Sequence, residues 1–135
     1  MDDVTASVIV EGGCSGPNRT TTLRLAWSRR DPLAVRLLLT CEPDHPALPR
    51  GHWAVLRDFL RYGCDHPTGD GLVRIRPDGP AHVLLELVEG KRASRVTLPV
   101  DMLHRFLDAT EELCPSGEER HDTAIDALID RLLRA

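Results

Sequence analysis

The chain has 135 residues, of which 41% are hydrophobic and 28% charged, an ordinary globular composition that excludes a disordered chain. Lys and Arg number 17 against 21 Asp and Glu, a net charge of -4, which argues against general nucleic-acid binding because that usually needs a basic excess. The length predicts a single domain over residues 1–135, large enough to fold without a metal or a disulfide.

The start, Met1-Asp2-Asp3-Val4, is acidic and lacks the basic and apolar regions of a signal peptide. The longest strictly apolar run, Leu37-Leu38-Leu39, is far short of the ~20 residues a membrane span needs. A cytoplasmic protein is expected, with no direct membrane insertion. Cys14, Cys41, Cys64 and Cys114 are widely spaced, so reduced thiols are the expectation.

In chain order, Val4, Ala6, Val8 and Val10 alternate with Thr5, Ser7 and Ile9, which predicts a strand. Gly12 to Asn18 reads as a loop. A second strand covers Thr22 to Ser28, with Leu23, Leu25 and Trp27 inward. Across the turn Arg29-Arg30-Asp31-Pro32, a third strand, Leu33 to Cys41, completes an antiparallel hairpin. Leu33, Val35, Leu37, Leu39 and Cys41 are placed on its core face. Pro43, Pro46 and Pro49 make Glu42 to Gly51 a loop.

A short strand near 52–55 then runs into a short helix near 56–62, with Gly63 placed just past its end. A Gly/Pro loop follows over Cys64 to Gly71. Next comes a strand with Val73 and Ile75 inward and Arg74 and Arg76 outward. His82 to Glu89 and Ser94 to Leu98 form a hairpin across Gly90-Lys91-Arg92-Ala93. Pro99 suits a first helical turn. Met102, Leu103, Phe106, Leu107, Thr110 and Leu113 make the stripe of one C-terminal helix. Ile125, Leu128, Ile129, Leu132 and Leu133 make that of a second, so the two helices cover about 99–134. The fold class is α+β, a twisted antiparallel sheet with one short helix and two C-terminal helices.

Four segments carry a resemblance. Asp31-Pro32-Leu33-Ala34-Val35 opens a strand. Trp53-x-x-x-Arg57-Asp58-Phe59-Leu60-x-x-Gly63 follows, and then Pro67-Thr68-Gly69-Asp70-Gly71-Leu72-Val73-Arg74-Ile75-x-Pro77. Last come Leu103-x-x-Phe106-Leu107-x-x-Thr110 and Pro115-x-Gly117-x-Glu119. In order and spacing this set resembles the SsgA-like family of actinobacteria, which act in sporulation-specific cell division. The resemblance spans about Leu23 to the last helix. Leu72 stands where the family often has an acidic residue, and the Pro-rich loop is longer than usual. The resemblance implies a non-enzymatic adaptor in septum-site placement that contacts FtsZ or sibling family proteins. It also implies a fold similar to the whirly nucleic-acid-binding proteins, assembly into a homotrimer, recruitment to the division septum and no cofactor.

The residues themselves suggest where partners would bind. Gly69 and Gly71, behind Pro67, permit a tight connection, and a surface loop of this kind can also serve recognition. Trp53 suits a core or a subunit interface. Leu128 and Leu132 lie on a seam that would cover the sheet or pack against another subunit.

Enzyme chemistry finds no constellation. Gly13-Cys14-Ser15-Gly16-Pro17 precedes a strand and lacks the second glycine of a nucleophile elbow. The six histidines are scattered, and no C-x-x-C or H-E-x-x-H occurs, so no metal site is expected. The alternative function is binding of single-stranded nucleic acid by a basic sheet face formed by Arg24, Arg36, Arg74 and Arg76. The shortage of aromatic stacking platforms argues against it.

Overall fold

Residues 3–12, 20–42, 51–69 and 71–117 are described by the computed structural model. β-Branched and aliphatic residues at every second position fold β1 (Asp3–Gly12), β2 (Thr20–Ser28), β3 (Asp31–Glu42) and β4 (Gly51–Leu56). Helix α1 (Arg57–Gly63) leads to β5 (Thr68–Gly69), β6 (Val73–Asp78), β7 (His82–Glu89) and β8 (Arg92–Pro99), and α2 (Val100–Leu113) closes the described chain. The strands are hydrogen-bonded in the order β4-β3-β2-β1-β8-β7-β6-β5, and every pairing is antiparallel. This is the α+β class expected, with the second C-terminal helix, Leu128 and Leu132 included, lying outside the described residues.

β1 divides the ladder into two halves. Its residues Asp3 to Val10 pair with β2, and Glu11 and Gly12 pair with β8. Both halves turn their apolar faces to one core. Leu23, Leu25 and Trp27 of β2 meet Val35, Leu37 and Leu39 of β3 there, together with Ile75, Val83, Leu85, Leu87, Val96 and Leu98 from the other half. Each such side chain contributes roughly 1.5–3 kcal/mol when fully buried. Helix α2 adds Leu103, Phe106 and Leu107, which recur at the three- and four-residue spacing of one helical face.

The chain passes from one edge strand, β4, to the other, β5, through α1. A helix of 7 residues is only about 10 Å long, so the two ends of the ladder lie close together. Trp53 bridges them. It sits on β4, and its indole N–H donates to the carbonyl of Val88 on β7 at 2.9 Å.

Arg57, at the first turn of α1, is 2% exposed. Its Nη1 donates to the carbonyl of Cys114 at 2.8 Å and to Oγ1 of Thr110 at 3.3 Å. Its guanidinium lies 5.4 Å from the centroid of the Trp27 ring, within cation–π range. The last turn of α2 holds no basic residue of its own, so α1 supplies the cation that its C-terminal carbonyls favour. On the exposed side, Arg61 pairs with Asp108 at 2.7 Å and Glu111 at 3.7 Å.

The structure differs from the sequence expectations at several points. Leu33 is only half-buried, whereas Pro32 is buried. The register between β2 and β3 shifts at Trp27/Ser28, so residues 32–34 bulge out of alternation. Trp27 Nε1 donates to the carbonyl of Pro32 at 2.9 Å and holds the bulge. Gly63 ends α1 as its last helical residue and is not a left-handed cap. It is small because a Cβ there would run into the Ile75 side chain. Helix α2 starts at Val100, with Pro99 before it in extended backbone (φ -64, ψ 133). The β7–β8 turn is tighter than expected: Glu89 pairs with Arg92, which leaves only Gly90 and Lys91 between the strands. Gly90 takes φ 59, the left-handed value such turns require. Tyr62, near the end of α1, is 55% exposed. Cys41 is disulfide-bonded, against the expectation of reduced thiols, while Cys64 and Cys114 are free and buried.

Candidate partner-docking face

The tight β7–β8 turn fixes which residues meet across strands. Glu86 stands opposite Arg95 on β8 and opposite Arg74 on β6. One step along, Leu84 stands opposite Arg76 and Thr97. Because side chains alternate between sheet faces, and Ile75, Leu85 and Val96 occupy the core, these residues share the outer face. Glu86 Oε1 accepts from Arg74 Nη1 at 3.3 Å, and Glu86 Oε2 accepts from Arg95 Nε at 3.1 Å. Both bridges are solvent-exposed, so each adds about 0–1 kcal/mol of stability. Their effect is positional, since one carboxylate holds two guanidinium groups in place.

The connection from α1 to β6 walls this face. Gly69 lies so close to β6 that a Cβ would meet the carbonyl oxygen of Val73, and Arg74 Cα at 2.8 Å. Gly71 has φ 100, a backbone that a residue with a side chain adopts only under strain. Pro67, Gly69 and Gly71 thus line one side of a depression of about 540 Å³. Thr68, Arg74, Ile75, Arg76, Leu84, Glu86 and Arg95 line the rest.

The sequence-predicted residues therefore separate into groups. Pro67, Gly69, Gly71, Arg74 and Arg76 come together at the depression. Arg24 and Arg36 are exposed on β2 and β3, in the other half of the ladder. In strand order β1, β8 and β7 lie between the Arg24/Arg36 pair and the Arg74/Arg76 pair. Arg95 sits on β8, which is flanked by β1 and β7 and is no edge. Trp53 is 7% exposed and belongs to the core. Glu86 and Leu84 were missed by sequence reasoning. The signal for them was the Gly90-Lys91 turn, which sets the 86–95 pairing once the turn length is known.

Among the described residues, no group of three or more His, Cys, Asp and Glu could hold a metal ion. None of the described helices is long and apolar enough to cross a membrane. The Cys64 thiol is displaced from its ordinary titration. Burial pushes it up from 9.0 to about 11, with Arg61 pulling down and Asp65 pushing up more weakly. Its Sγ donates to the carbonyl of Leu60 at 3.3 Å. Near neutral pH this is a protonated, unreactive thiol. The folded chain keeps its proton where the unfolded chain loses it, so Cys64 supports the fold fully below pH 9 and that support is lost between pH 9 and about 11. Urea denaturation against pH, with Cys64→Ala as reference, should show a steeper alkaline decline for the unsubstituted chain. Parallel curves would remove Cys64 as the cause.

A sequence profile described as "Streptomyces sporulation and cell division protein, SsgA" matches residues 21–119. The chain is 30% identical over 129 residues to the sporulation-specific cell division protein SsgB of Kineococcus radiotolerans, which covers 88% of this chain and 72% of that one. It is 35% identical over 109 residues to the SsgB of Thermobifida fusca, covering 78% of this chain and 76% of the relative. In structure it is similar to the crystal structure of an SsgA-like sporulation-specific cell division protein from Thermobifida fusca. The TM-score is 0.74 at 31% identity, over 96% of this chain and 94% of that one.

Proposed function

The chain belongs to the SsgA-like family of sporulation and cell division proteins, and from that we propose that it is a non-enzymatic adaptor that helps place the division septum by binding FtsZ or sibling family proteins. The likeness to SsgB over 88% of the chain carries this reading. The outer face of β6, β7 and β8 supports it. A rigid sheet presents a walled depression with arginines at its surface, and Arg is enriched among the residues that dominate protein interfaces. The reading includes a cytoplasmic protein recruited to the septum and assembly as a homotrimer.

Titration of the purified chain against GTP-bound FtsZ from the same organism, at low and at physiological salt, tests the reading. Saturable binding that persists at physiological salt is the expected result, since an interface with an apolar component survives screening. Light scattering in the same buffer should give a species of three times the 15.0 kDa chain. Absence of FtsZ binding by a monodisperse sample would remove FtsZ as the partner. Single-stranded nucleic acid is the weaker reading, because no aromatic residue lines the depression to stack a base.

A further inference from the structure

We propose that the depression on β6–β8 binds an acidic protein segment that also carries aliphatic side chains. The inference rests on the adaptor reading and names the chemistry its partner must have.

Charge is the first argument. Among the described residues of its lining, three guanidinium groups, those of Arg74, Arg76 and Arg95, face one carboxylate, that of Glu86. The whole chain is at -4, so the described lining has the opposite sign to the molecule as a whole. Glu86 uses both of its oxygens on Arg74 and Arg95. Arg76 is exposed and, among the described residues, has neither an ion pair nor a side-chain hydrogen bond. It stands opposite Leu84, whose neighbour on β8 is Thr97, so no acid lies in its cross-strand row. An arginine in this state is available to take a carboxylate in a two-point contact.

Apolar area beside the charges is the second argument. Leu84 lies half-buried on the floor of the depression. Leu72, the residue after the lining Gly71, is 58% exposed although its backbone is fixed by the Val88 N–H at 2.8 Å. An aliphatic seat beside guanidinium groups matches a protein segment that carries both acids and aliphatics. It matches a phosphodiester strand poorly. The strand's bases would find no aromatic surface among the residues that line the site.

The test is fluorescence anisotropy of the full chain with a labelled glutamate-rich peptide containing leucines. A lysine-rich peptide of equal length and labelled oligothymidylate serve as comparison probes. The glutamate-rich peptide should bind, and Arg76→Glu should weaken it by about tenfold or more. Arg36→Glu, in the other half of the ladder, should leave it unchanged. Arg76 is exposed and unpaired among the described residues, so its variant should melt with the unsubstituted chain. No binding of the glutamate-rich peptide overturns the proposal, as does an equal loss in Arg36→Glu. Oligothymidylate binding that exceeds peptide binding and is lost in Arg76→Glu overturns it in favour of nucleic acid. If the chain binds FtsZ and Arg76→Glu binds it equally well, this inference fails and the adaptor reading stands. If the peptide binds and FtsZ does not, the site stands and FtsZ is not its partner.

Discussion

Arg57→Ala will lower the unfolding free energy by about 3–5 kcal/mol, as read from urea denaturation. In a chain of this size that moves the thermal midpoint down by roughly 10–20 °C. Two losses combine. The Arg57 side chain is 2% exposed, so truncation leaves a void between α1, α2 and Trp27. The Cys114 carbonyl at the end of α2 loses a donor at 2.8 Å, and an orphaned buried acceptor costs about 1–3 kcal/mol. Thr110 is less affected, because its hydroxyl still donates to the carbonyl of Leu107 at 2.7 Å. Arg57→Met separates the two contributions. It restores most of the volume but no donor, so it should recover the packing part and keep the acceptor penalty. A loss under about 1 kcal/mol in Arg57→Ala would mean that α2 docks without Arg57.

Residues whose environment is set by their own strand were readable from sequence. Val73 and Ile75 inward with Arg74 and Arg76 outward is period-two alternation, and the structure reproduces it. The same holds for Leu23, Leu25 and Trp27 on β2. Residues whose role depends on a partner far along the chain were harder to see. Gly63 looked like a helix cap, yet its smallness answers to Ile75 on another element. Leu33 fitted the alternation of β3, and only the bulge held by Trp27 removes it from the core. Arg57 is a charged residue on the buried side of α1, three positions before Leu60. That i, i+3 spacing was visible, but nothing nearby announced the carbonyl of Cys114, which lies 57 residues on. At the docking face the loop and two of the arginines were legible as turn residues and outward strand positions. Glu86, which organises the site, needed the cross-strand register.

Trp53→Ala will also cost about 3–5 kcal/mol, and it probes a different weakness, the closure of the ladder. β4 and β5 are its two ends. Among the described residues, the indole hydrogen bond to Val88 is the side-chain tie from β4 to the far half. The neighbourhood is built around the ring. A Cβ on Gly51 would collide with the six-membered ring of Trp53, so the strand gives up a side chain to seat it. Trp53→Phe keeps most of the apolar area and removes only the N–H, leaving the Val88 carbonyl short of a donor, for about 1–2 kcal/mol. Comparing the two variants apportions the closure between ring packing and the hydrogen bond. The same pair decides whether Trp53 meets a partner directly. Under conditions where Trp53→Phe is folded, its affinity for FtsZ should equal that of the unsubstituted chain, because the ring is 7% exposed. Weakened binding with an unchanged melting curve would instead make Trp53 a partner contact. Binding would then have to open the junction between the two ends of the ladder.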